Sequence, residues 1–362
     1  METEIRTTIL EAARRAGFDL AGIAPVDLAD KHVAGWREWI AQDRHGEMRY
    51  MERPERADLR KLLPSVKSVI CLGLNYYPAG RPANSPQGNP PGGISVYAQG
   101  RDYHLVMMER MEALLADMRL SLPFTFEARP YVDTGPILER AYAEAAGLGW
   151  IGKNTCLINQ QDGSWFFIGE ILTSLEIPPD APPPDRCGTC TACLDACPTG
   201  AFLAPYQLDA RLCISYLTIE LRGSIPEPMR EPIGQHVFGC DICQDVCPWN
   251  RRAASSTVAD FLPLPIFAPL VANETGGLLE SLARMGPAEF RGHFASSPIK
   301  RSKHQGFLRN VAVALGNLGG NSGVTDSLPV LESLRSNADP VIAEHAEWAI
   351  QKIERRAQAG VD

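Results

Sequence analysis

The sequence lacks an uninterrupted apolar stretch of the length that is needed to cross a lipid bilayer. Residues 1–18 also lack the basic segment and apolar core of a secretory signal peptide. Their spaced apolar residues instead predict an amphipathic helix. We therefore expect a cytoplasmic protein without a membrane partner. In such a reducing compartment, clustered cysteines are more often metal ligands than disulfides.

Positive charge is not in excess, because 35 lysines and arginines stand against 43 aspartates and glutamates, for a net charge of −8. This balance argues against a chain that binds nucleic acid over its whole surface, although a local basic patch is compatible with it. At 362 residues the chain is too long for one ordinary core, so two or three domains are expected.

The first half of the chain mixes helix and strand signals. Apolar residues at helical spacing predict helices, and short apolar runs predict buried strands. The predicted helices are 5–13, 36–51, 103–119 and 137–146, and the predicted strands are 66–74, 124–132 and 165–175. Proline, glycine and asparagine predict a loop over 77–93. This order indicates an α+β fold, a sheet with flanking helices.

Composition divides the rest of the chain. Residues 177–186 contain five prolines and indicate a stiff connector, and eight of the ten cysteines follow before residue 251. Beyond them, apolar stripes predict short helices stacked as a repeat, at 308–318, 328–334 and 342–353. We therefore predict three domains, which are 1–178, 179–256 and 257–362.

The clustered cysteines form two runs. The first has the spacing C-x2-C-x2-C-x3-C followed by Pro198, as in bacterial ferredoxins that hold 4Fe-4S clusters. The second run has Val237 where its first cysteine would stand, and Cys213 between the runs is the natural replacement. In two-cluster ferredoxins the fourth cysteine of each run serves the other cluster. This rule assigns one cluster to Cys187, Cys190, Cys193 and Cys247, and the other to Cys197, Cys213, Cys240 and Cys243.

Two zinc sites or disulfides are the alternative interpretations of these cysteines. Zinc sites usually show two separated CxxC pairs, so the ferredoxin spacing favours clusters. Cys71 lies in an apolar run and is expected in the core, whereas Cys156 is left without an assigned role. Two clusters would pass electrons to an acceptor, which we expect the large first domain to hold.

Short motifs in the first domain allow structural interpretations. Asp102 opens a predicted helix and Asp133 joins a strand to a helix, so spacing alone favours a capping role for both. The glycine-rich segment 147–154 matches neither a P-loop nor a dinucleotide-binding motif and predicts a tight turn. Residues 102–104 begin like the D-x-H-x-x-G signature of cobalamin proteins with a cobalt-ligating histidine, but Met107 replaces its glycine.

Taken together, six segments resemble the epoxyqueuosine reductases, a family related to the reductive dehalogenases. They occur in the family's order over nearly the whole chain: GRDYH, YVDTGPILERAYAEAAGLGWIGKNTCLI, CGTCTACLDACPTGA, CISYLTIELRG, FGCDICQDVCPWN and IKRSKHQGFLRNVAVALGN. The resemblance implies an enzyme that reduces epoxyqueuosine to queuosine at the wobble position of tRNA, the last step of queuosine biosynthesis. It also implies a nitroreductase-like cobalamin-binding domain, a ferredoxin-like domain with two 4Fe-4S clusters, and a C-terminal HEAT-like repeat module that binds tRNA.

The resemblance further implies a mechanism and a set of residues. The clusters would feed electrons from an external donor to base-off cobalamin, and Co(I) would attack the epoxide, in keeping with the missing histidine motif. Asp133 matches the family's proton donor, which overrides its capping interpretation, and burial is expected to raise its pKa. The candidate contacts of cobalamin or substrate are Arg56, Tyr103, His104, Lys153, Asn154 and Ser215.

A basic segment near the C-terminus is the candidate tRNA surface. Residues 290–325 hold no acidic residue. Their basic residues are Arg291, Lys300, Arg301, Lys303 and Arg309, with His293 and His304 among them. A solvated helix face is the alternative interpretation in isolation, whereas a tRNA substrate favours a phosphate track. Trp249 and Tyr216 are candidates for stacking on anticodon bases.

Three other functions remain as alternatives. A reductive-dehalogenase-like corrinoid enzyme would share the cofactors, but its respiratory members usually carry twin-arginine signals, which this N-terminus lacks. A non-catalytic iron–sulfur electron-transfer module would leave the large first domain unexplained. An iron–sulfur scaffold would bind tRNA without changing it. Nothing in the sequence requires more than a monomer.

Overall fold

The structure is a computed structural model that describes residues 2–78, 93–267, 277–318 and 327–359. Helices and strands both contribute to it, so the mixed fold predicted from the sequence is confirmed. Within these ranges no helix is long and apolar enough to cross a membrane. The loop predicted for 77–93 lies mostly outside the described residues.

An antiparallel sheet organises the first part of the chain. The elements of this part are α1 (Glu2–Arg15), β1 (Leu20–Pro25), α2 (Asp30–Ala41), β2 (Ser68–Asn75), β3 (Gly93–Ile94), α3 (Tyr103–Ser121), β4 (Ala128–Tyr131), α4 (Glu139–Ala145), β5 (Trp150–Ile151), β6 (Leu157–Ile158) and β7 (Phe166–Thr173). The four strands of the sheet lie in the order β1, β2, β7, β4, and each neighbouring pair is antiparallel.

Helices cover both faces of this sheet, and the sequence of β2 reflects that position. Residues of α1 and α3 pack with Ile70 and Leu72 on one face, and residues of α4 pack with Val69 and Cys71 on the other. Every residue of β2 is consequently buried. A strand buried on both faces needs a continuous apolar run, which is the signal that predicted it.

Two predicted elements differ from the structure. The helix predicted for 36–51 is α2, which begins and ends earlier, because the chain turns through Asp43 and Gly46, both with positive φ. The strand predicted for 124–132 pairs with β7 only over Ala128–Tyr131. Strand β1 was not predicted, because its six residues include a glycine and a proline, which weaken a strand signal.

The cysteine-rich segment is built from short elements and loops. They are α5 (Ala192–Asp195), β8 (Phe202–Ala204), β9 (Gln207–Leu208), α6 (Ile214–Ile219), α7 (Glu227–Arg230), β10 (His236–Phe238) and α8 (Ile242–Asp245). Strand β10 pairs in parallel with β3, which joins this segment to the first part of the chain.

Within the described residues, the helices that follow are Leu278–Ala283, Pro287–Phe294, Lys303–Asn317, Leu328–Arg335 and Pro340–Ala359. The last three coincide with the three apolar stripes of the sequence. Their buried faces belong to one apolar cluster with α6 and β10, in which Leu217, Phe238 and Val311 are each at most 1% exposed. The cysteine segment and the C-terminal helices therefore share a core.

Arg309 lies inside that core, which corrects its assignment to the tRNA surface. Its side chain is 0% exposed. The guanidinium donates hydrogen bonds to the carbonyl oxygens of Leu217, Leu221 and Gly223, at 2.6–2.9 Å. Burial lowers its pKa to about 10, so the group is still charged at neutral pH. Its role is to satisfy the carbonyls at the end of α6, and no donor is directed to a phosphate.

Replacing Arg309 by methionine should destabilise the fold by about 3 kcal/mol or more, because three buried carbonyl oxygens lose their charged donor. Chemical denaturation monitored by circular dichroism measures this change. Arg291→Met is the matched control, since Arg291 is exposed and lies in the preceding basic helix. Equal stability of the two variants would contradict the structural role of Arg309.

Candidate functional site

Asp133 lies in the loop between β4 and α4 and has an unusual backbone conformation. Its φ is 52°, a left-handed value that is costly for a residue other than glycine. Its N–H donates to the carboxyl group of Glu139, which holds the loop in place. Its own carboxylate is 60% exposed. No side chain caps α4, so the capping role considered for Asp133 is wrong.

Four charged groups form a continuous array that ends at this carboxylate. Lys300 Nζ lies 2.7 Å from Asp102 Oδ2. Asp102 Oδ1 lies 2.7 Å from His104 Nδ1, and His104 Nε2 lies 3.4 Å from Asp133 Oδ2. Asp102 also caps α3 by accepting from the N–H of His104, so its capping interpretation holds. The array links the C-terminal part of the chain to the Asp133 loop.

The charges of this array set the protonation states. Burial disfavours the imidazolium of His104, but hydrogen bonds to Asp102 and Asp133 outweigh it and raise the pKa of His104 to about 9. The surrounding protein opposes ionisation of Asp133, yet contact with His104 lowers its pKa overall. Burial and the neighbouring Asp133 charge raise the pKa of Glu139 to about 8. In the protein alone the positive charge of His104 thus lowers the Asp133 pKa, and the rise expected beside an apolar corrin face stays a prediction.

An aromatic wall stands next to the array. The Tyr103 ring stacks on Phe167 at 4.3 Å and on the imidazole of His104 at 4.1 Å, measured between ring centroids. Tyr97 contacts the edge of Tyr103 at 6.0 Å and also packs near Phe238 of β10. The Nε2 atom of His104 is buried, and its contact with Asp133 Oδ2 at 3.4 Å is long for a hydrogen bond. Apolar rings beside a few polar groups are typical of a ligand-binding site.

The other predicted cofactor contacts lie away from this wall. Arg56 is 5% exposed and donates to the carbonyl oxygens of Tyr50 and Ile137, which braces the segment before α4. Lys153 Nζ donates to the carbonyls of Gly188 at 2.7 Å and Cys190 at 2.9 Å.

Asn154 and Ser215 also lie at the cysteine loops. Asn154 Nδ2 donates to the carbonyl of Cys243 at 3.2 Å. Burial raises the pKa of the Cys213 thiol, and hydrogen bonds with Ser215 partly offset this rise. Of the six predicted contacts, Tyr103 and His104 lie beside Asp133. Burial lowers the pKa of Arg56, and the nearby charges of Glu139 and Asp133 partly offset this effect.

The seven cysteines of the two runs and Cys213 lie as two groups of four. Cys187, Cys190, Cys193 and Cys247 line one cavity of about 360 Å³ together with Lys153 and Trp249. Cys197, Cys213, Cys240 and Cys243 are close enough to influence one another's thiol pKa. Each group includes one cysteine from the opposite run.

Ligand spacing distinguishes these groups from single-ion sites. In the described ranges, no three His, Cys, Asp or Glu side chains converge closely enough to hold one metal ion. The thiolates around a four-iron cluster stand farther apart than the ligands of one ion. Cys71 is buried in β2, and Cys156 hydrogen-bonds Cys243.

The aromatic residues suggested for base stacking have other partners. Trp249 lines the cysteine cavity and contacts Trp150 at 5.1 Å between ring centroids. Tyr216 is 6% exposed, and its hydroxyl accepts the N–H of Glu47. Burial of Tyr216 contradicts its assignment to anticodon stacking, whereas the assignment of the partly buried Trp249 stays a prediction.

The remaining basic residues differ in their partners. Arg291 and Lys303 are exposed, whereas Lys300 pairs with Asp102. Arg301 pairs with Glu220 at 3.0 Å and lies over the Tyr50 ring at 5.3 Å. Sequence reasoning missed the ion pair of Lys300 with Asp102 and the hydrogen bond by which Glu139 holds the Asp133 loop. The partners of both residues lie in other elements, and no local signal marks them.

Comparison with protein families gives two matches. Residues 56–134 match the family model described as "Epoxyqueuosine reductase QueG, DUF1730". Residues 186–250 match the 4Fe-4S double cluster binding domain. The second match covers both cysteine runs, and the first ends one residue beyond Asp133.

Curated and solved relatives agree with these matches. Epoxyqueuosine reductases from Xanthomonas campestris and Escherichia coli are 41% and 43% identical, covering 96% and 94% of this chain and 96% and 87% of theirs. A crystal structure of epoxyqueuosine reductase with an epoxyqueuosine-modified tRNA-Tyr stem loop gives a TM-score of 0.84 at 31% identity, covering 98% of this chain and 91% of that one. The Bacillus subtilis enzyme, described with an aspartate-bearing catalytic loop swung out of the active site, gives 0.83 at 30% identity, with 98% and 91% coverage.

Proposed function

Because the chain belongs to the epoxyqueuosine reductase family, we propose that it reduces epoxyqueuosine to queuosine at the wobble position of tRNA, the last step of queuosine biosynthesis. The observation that supports this most is the accessible carboxylate of Asp133, held by a strained loop beside a wall of aromatic rings. Opening an epoxide and removing its oxygen as water requires an acid at the oxygen and a source of two electrons. The chain offers the acid, and its two groups of cysteines would hold the clusters that carry electrons from an external reductant.

We propose that cobalamin binds against the wall formed by Tyr103 and its neighbours. The apolar rings beside the accessible Asp133 carboxylate fit the apolar surface of a corrin ring. Nε2 of His104 faces Asp133, so this histidine would act on the carboxylate. When bound, cobalamin would supply a strongly reducing cobalt nucleophile for an epoxide carbon.

Asp133 is the proton donor in this proposal. Its carboxyl group is exposed on the side of the aromatic wall, where it can reach the oxygen of a bound epoxide. Glu139 fixes the loop through the Asp133 N–H, and Arg56 braces the segment that follows. These two residues position the acid, and they do not themselves contact the substrate.

Electrons would enter through the group of cysteines that contains Cys190, because that thiol is exposed. They would leave through the group that contains Cys240. Asp241, the neighbour of Cys240, accepts a hydrogen bond from the Ser95 hydroxyl. Burial raises the pKa of Tyr97, and the charge of Asp241 adds to this rise, so the two residues lie close together. Because Tyr97 contacts Tyr103 of the aromatic wall, the second cluster would lie on the side of the proposed cobalamin site. The external reductant would dock at the first.

The tRNA would be held by the exposed part of the basic segment. Reversing the charges of Arg301 and Lys303 to glutamate should weaken stem–loop binding and reduce the salt dependence of log K by about 1–2, the loss of one or two phosphate contacts. Filter binding across a series of salt concentrations measures both. Arg355→Glu, in the last helix, is a control of equal charge change per site. If the double variant keeps the wild-type affinity and slope, this segment is not the phosphate track.

The proposed function is tested by anaerobic reconstitution with cobalamin, followed by visible and EPR spectra. A strong reductant and a stem–loop bearing epoxyqueuosine are then added, and the nucleosides are analysed by mass spectrometry. Cluster signals, bound Co(II) and conversion to queuosine are the expected results. Clusters without cobalamin binding or conversion would reduce the chain to an electron-transfer protein and overturn the proposal.

A further inference from the structure

Proton stoichiometry raises a demand that Asp133 alone does not meet. Converting an epoxide to an alkene and water consumes two electrons and two protons, and this step rests on the proposed function. Beside His104 the carboxylate of Asp133 is ionised, so it must take up each proton before it can deliver it. Those protons must reach Asp133 while the substrate covers it. A second proton-storing group in contact with Asp133 would meet that demand.

His104 is placed to be that group. Its Nε2 lies 3.4 Å from Asp133 Oδ2 and has no hydrogen-bond partner of good geometry, although the atom is buried. Its Nδ1 is held by Asp102 at 2.7 Å, and stacking on Tyr103 fixes the ring plane. A modest movement of the Asp133 loop would complete a hydrogen bond along this line. The imidazole is therefore oriented to donate its Nε2 proton to Asp133 Oδ2.

We infer that His104 is a positioning residue that reloads Asp133 with a proton during each turnover. In this step the Nε2–H bond of the imidazolium breaks and an O–H bond forms on Asp133 Oδ2. The imidazole becomes neutral, the carboxylate becomes a carboxylic acid, and no electron moves. Solvent returns a proton to His104 after each transfer, so that the pair delivers both protons in turn. The two electrons come from the external reductant through the clusters.

The charged groups around His104 favour this order of events. Asp102 faces it from the start of α3, and Asp133 faces it from the loop after β4. Lys300 pairs with the other oxygen of Asp102. The positive charge of Arg301 helps to lower the pKa of Asp133. Together the two carboxylates raise the pKa of His104 to about 9 despite burial, so the imidazolium is present at neutral pH and is lost as the pH rises through that value.

The first test is independent of activity. Hydrogen–deuterium exchange at the imidazole C2 position, followed by mass spectrometry across a pH series, reports the titration of each histidine in the intact protein with its clusters. For His104 we expect a midpoint of about 9. Asp102→Asn should move it down by on the order of one pH unit, since asparagine keeps the helix cap but removes the charge. His304, which bonds the Met285 carbonyl, is the internal reference.

The second test follows turnover of the cobalamin-loaded enzyme against pH. Wild-type activity should fall as the pH rises through about 9, and Asp102→Asn should shift this alkaline limb down with the exchange midpoint. His104→Gln should slow turnover by about tenfold or more and remove the limb. Iron content and cobalamin binding are measured on every variant, so that a folding defect is recognised.

Different outcomes separate this inference from the proposed function. If wild type does not convert epoxyqueuosine although cobalamin and clusters are present, the function fails. If wild type converts it but His104→Gln retains the same rate and pH profile, the function stands and the inference is overturned. An exchange midpoint for His104 that does not respond to Asp102→Asn would overturn it as well.

Discussion

Replacing Asp133 by asparagine should slow epoxyqueuosine reduction by about 10²–10⁴-fold, the usual contribution of a positioned general acid. Asparagine preserves the size of the side chain but has no proton of suitable acidity for the opening oxygen. Because the backbone N–H still donates to Glu139, the loop should keep its conformation. Cobalamin content, iron content and stem–loop affinity should match those of wild type. Single-turnover assays with excess enzyme measure the loss directly.

Asp117→Asn is the matched control for this variant. Asp117 lies near the C-terminal end of α3, whereas His104 lies at its N-terminal end. Asp117 forms an exposed ion pair with Arg15 at 2.8 Å and has no part in the array. Exposed pairs contribute about 1 kcal/mol or less, so activity should be unchanged. Full turnover by Asp133→Asn, with both cofactors bound, would remove Asp133 from the acid role.

Replacing Cys213 by alanine should remove one of the two clusters. We expect about half of the iron to be lost, one set of EPR signals to disappear, and turnover to cease, because a four-iron cluster normally needs four thiolates. Cys213 is outside both motif runs, yet it lies against Cys197, Cys240 and Cys243. Iron analysis and EPR of the dithionite-reduced variant provide the measurement.

Cys156 and Cys71 supply the controls for that experiment. Cys156 hydrogen-bonds Cys243 and is the rival for the fourth ligand position, whereas Cys71 is buried in β2. Alanine at either position should leave the iron content intact. If Cys156→Ala loses iron while Cys213→Ala retains it, the fourth ligand has been misassigned. Loss in both variants would indicate that the hydrogen bond to Cys243 is needed for assembly.

Regular elements were predictable because their signals are local. The apolar run of β2 and the helical spacing over 103–119 each reflect burial of one element against its neighbours, and both match the structure. The spacing of the cysteine runs is also local, and the family resemblance supplied the role of Asp133. Spacing alone gave Asp133 a capping role that the structure does not show.

Contacts between distant segments were not predictable. Lys300 and Asp102 are 198 residues apart, and nothing in either segment marks the other as its partner. Arg309 was placed at the surface because charge usually indicates exposure, but carbonyl oxygens of the cysteine segment draw it inside. Periodicity shows that a helix has a buried face, and it does not show which polar residue is needed there.

The pairing of Lys300 with Asp102 restricts how members of this family can be recombined. A chimera that took its C-terminal helices from a relative would import whatever residue stands at this position, and the buried carboxylate of Asp102 would keep or lose its cation accordingly. A shortened chain that ended before residue 298 would lose it in every case. The segment that follows the cysteine runs is therefore not independent of the first part of the chain. Any graft should preserve this lysine, or replace Lys300 and Asp102 as a unit.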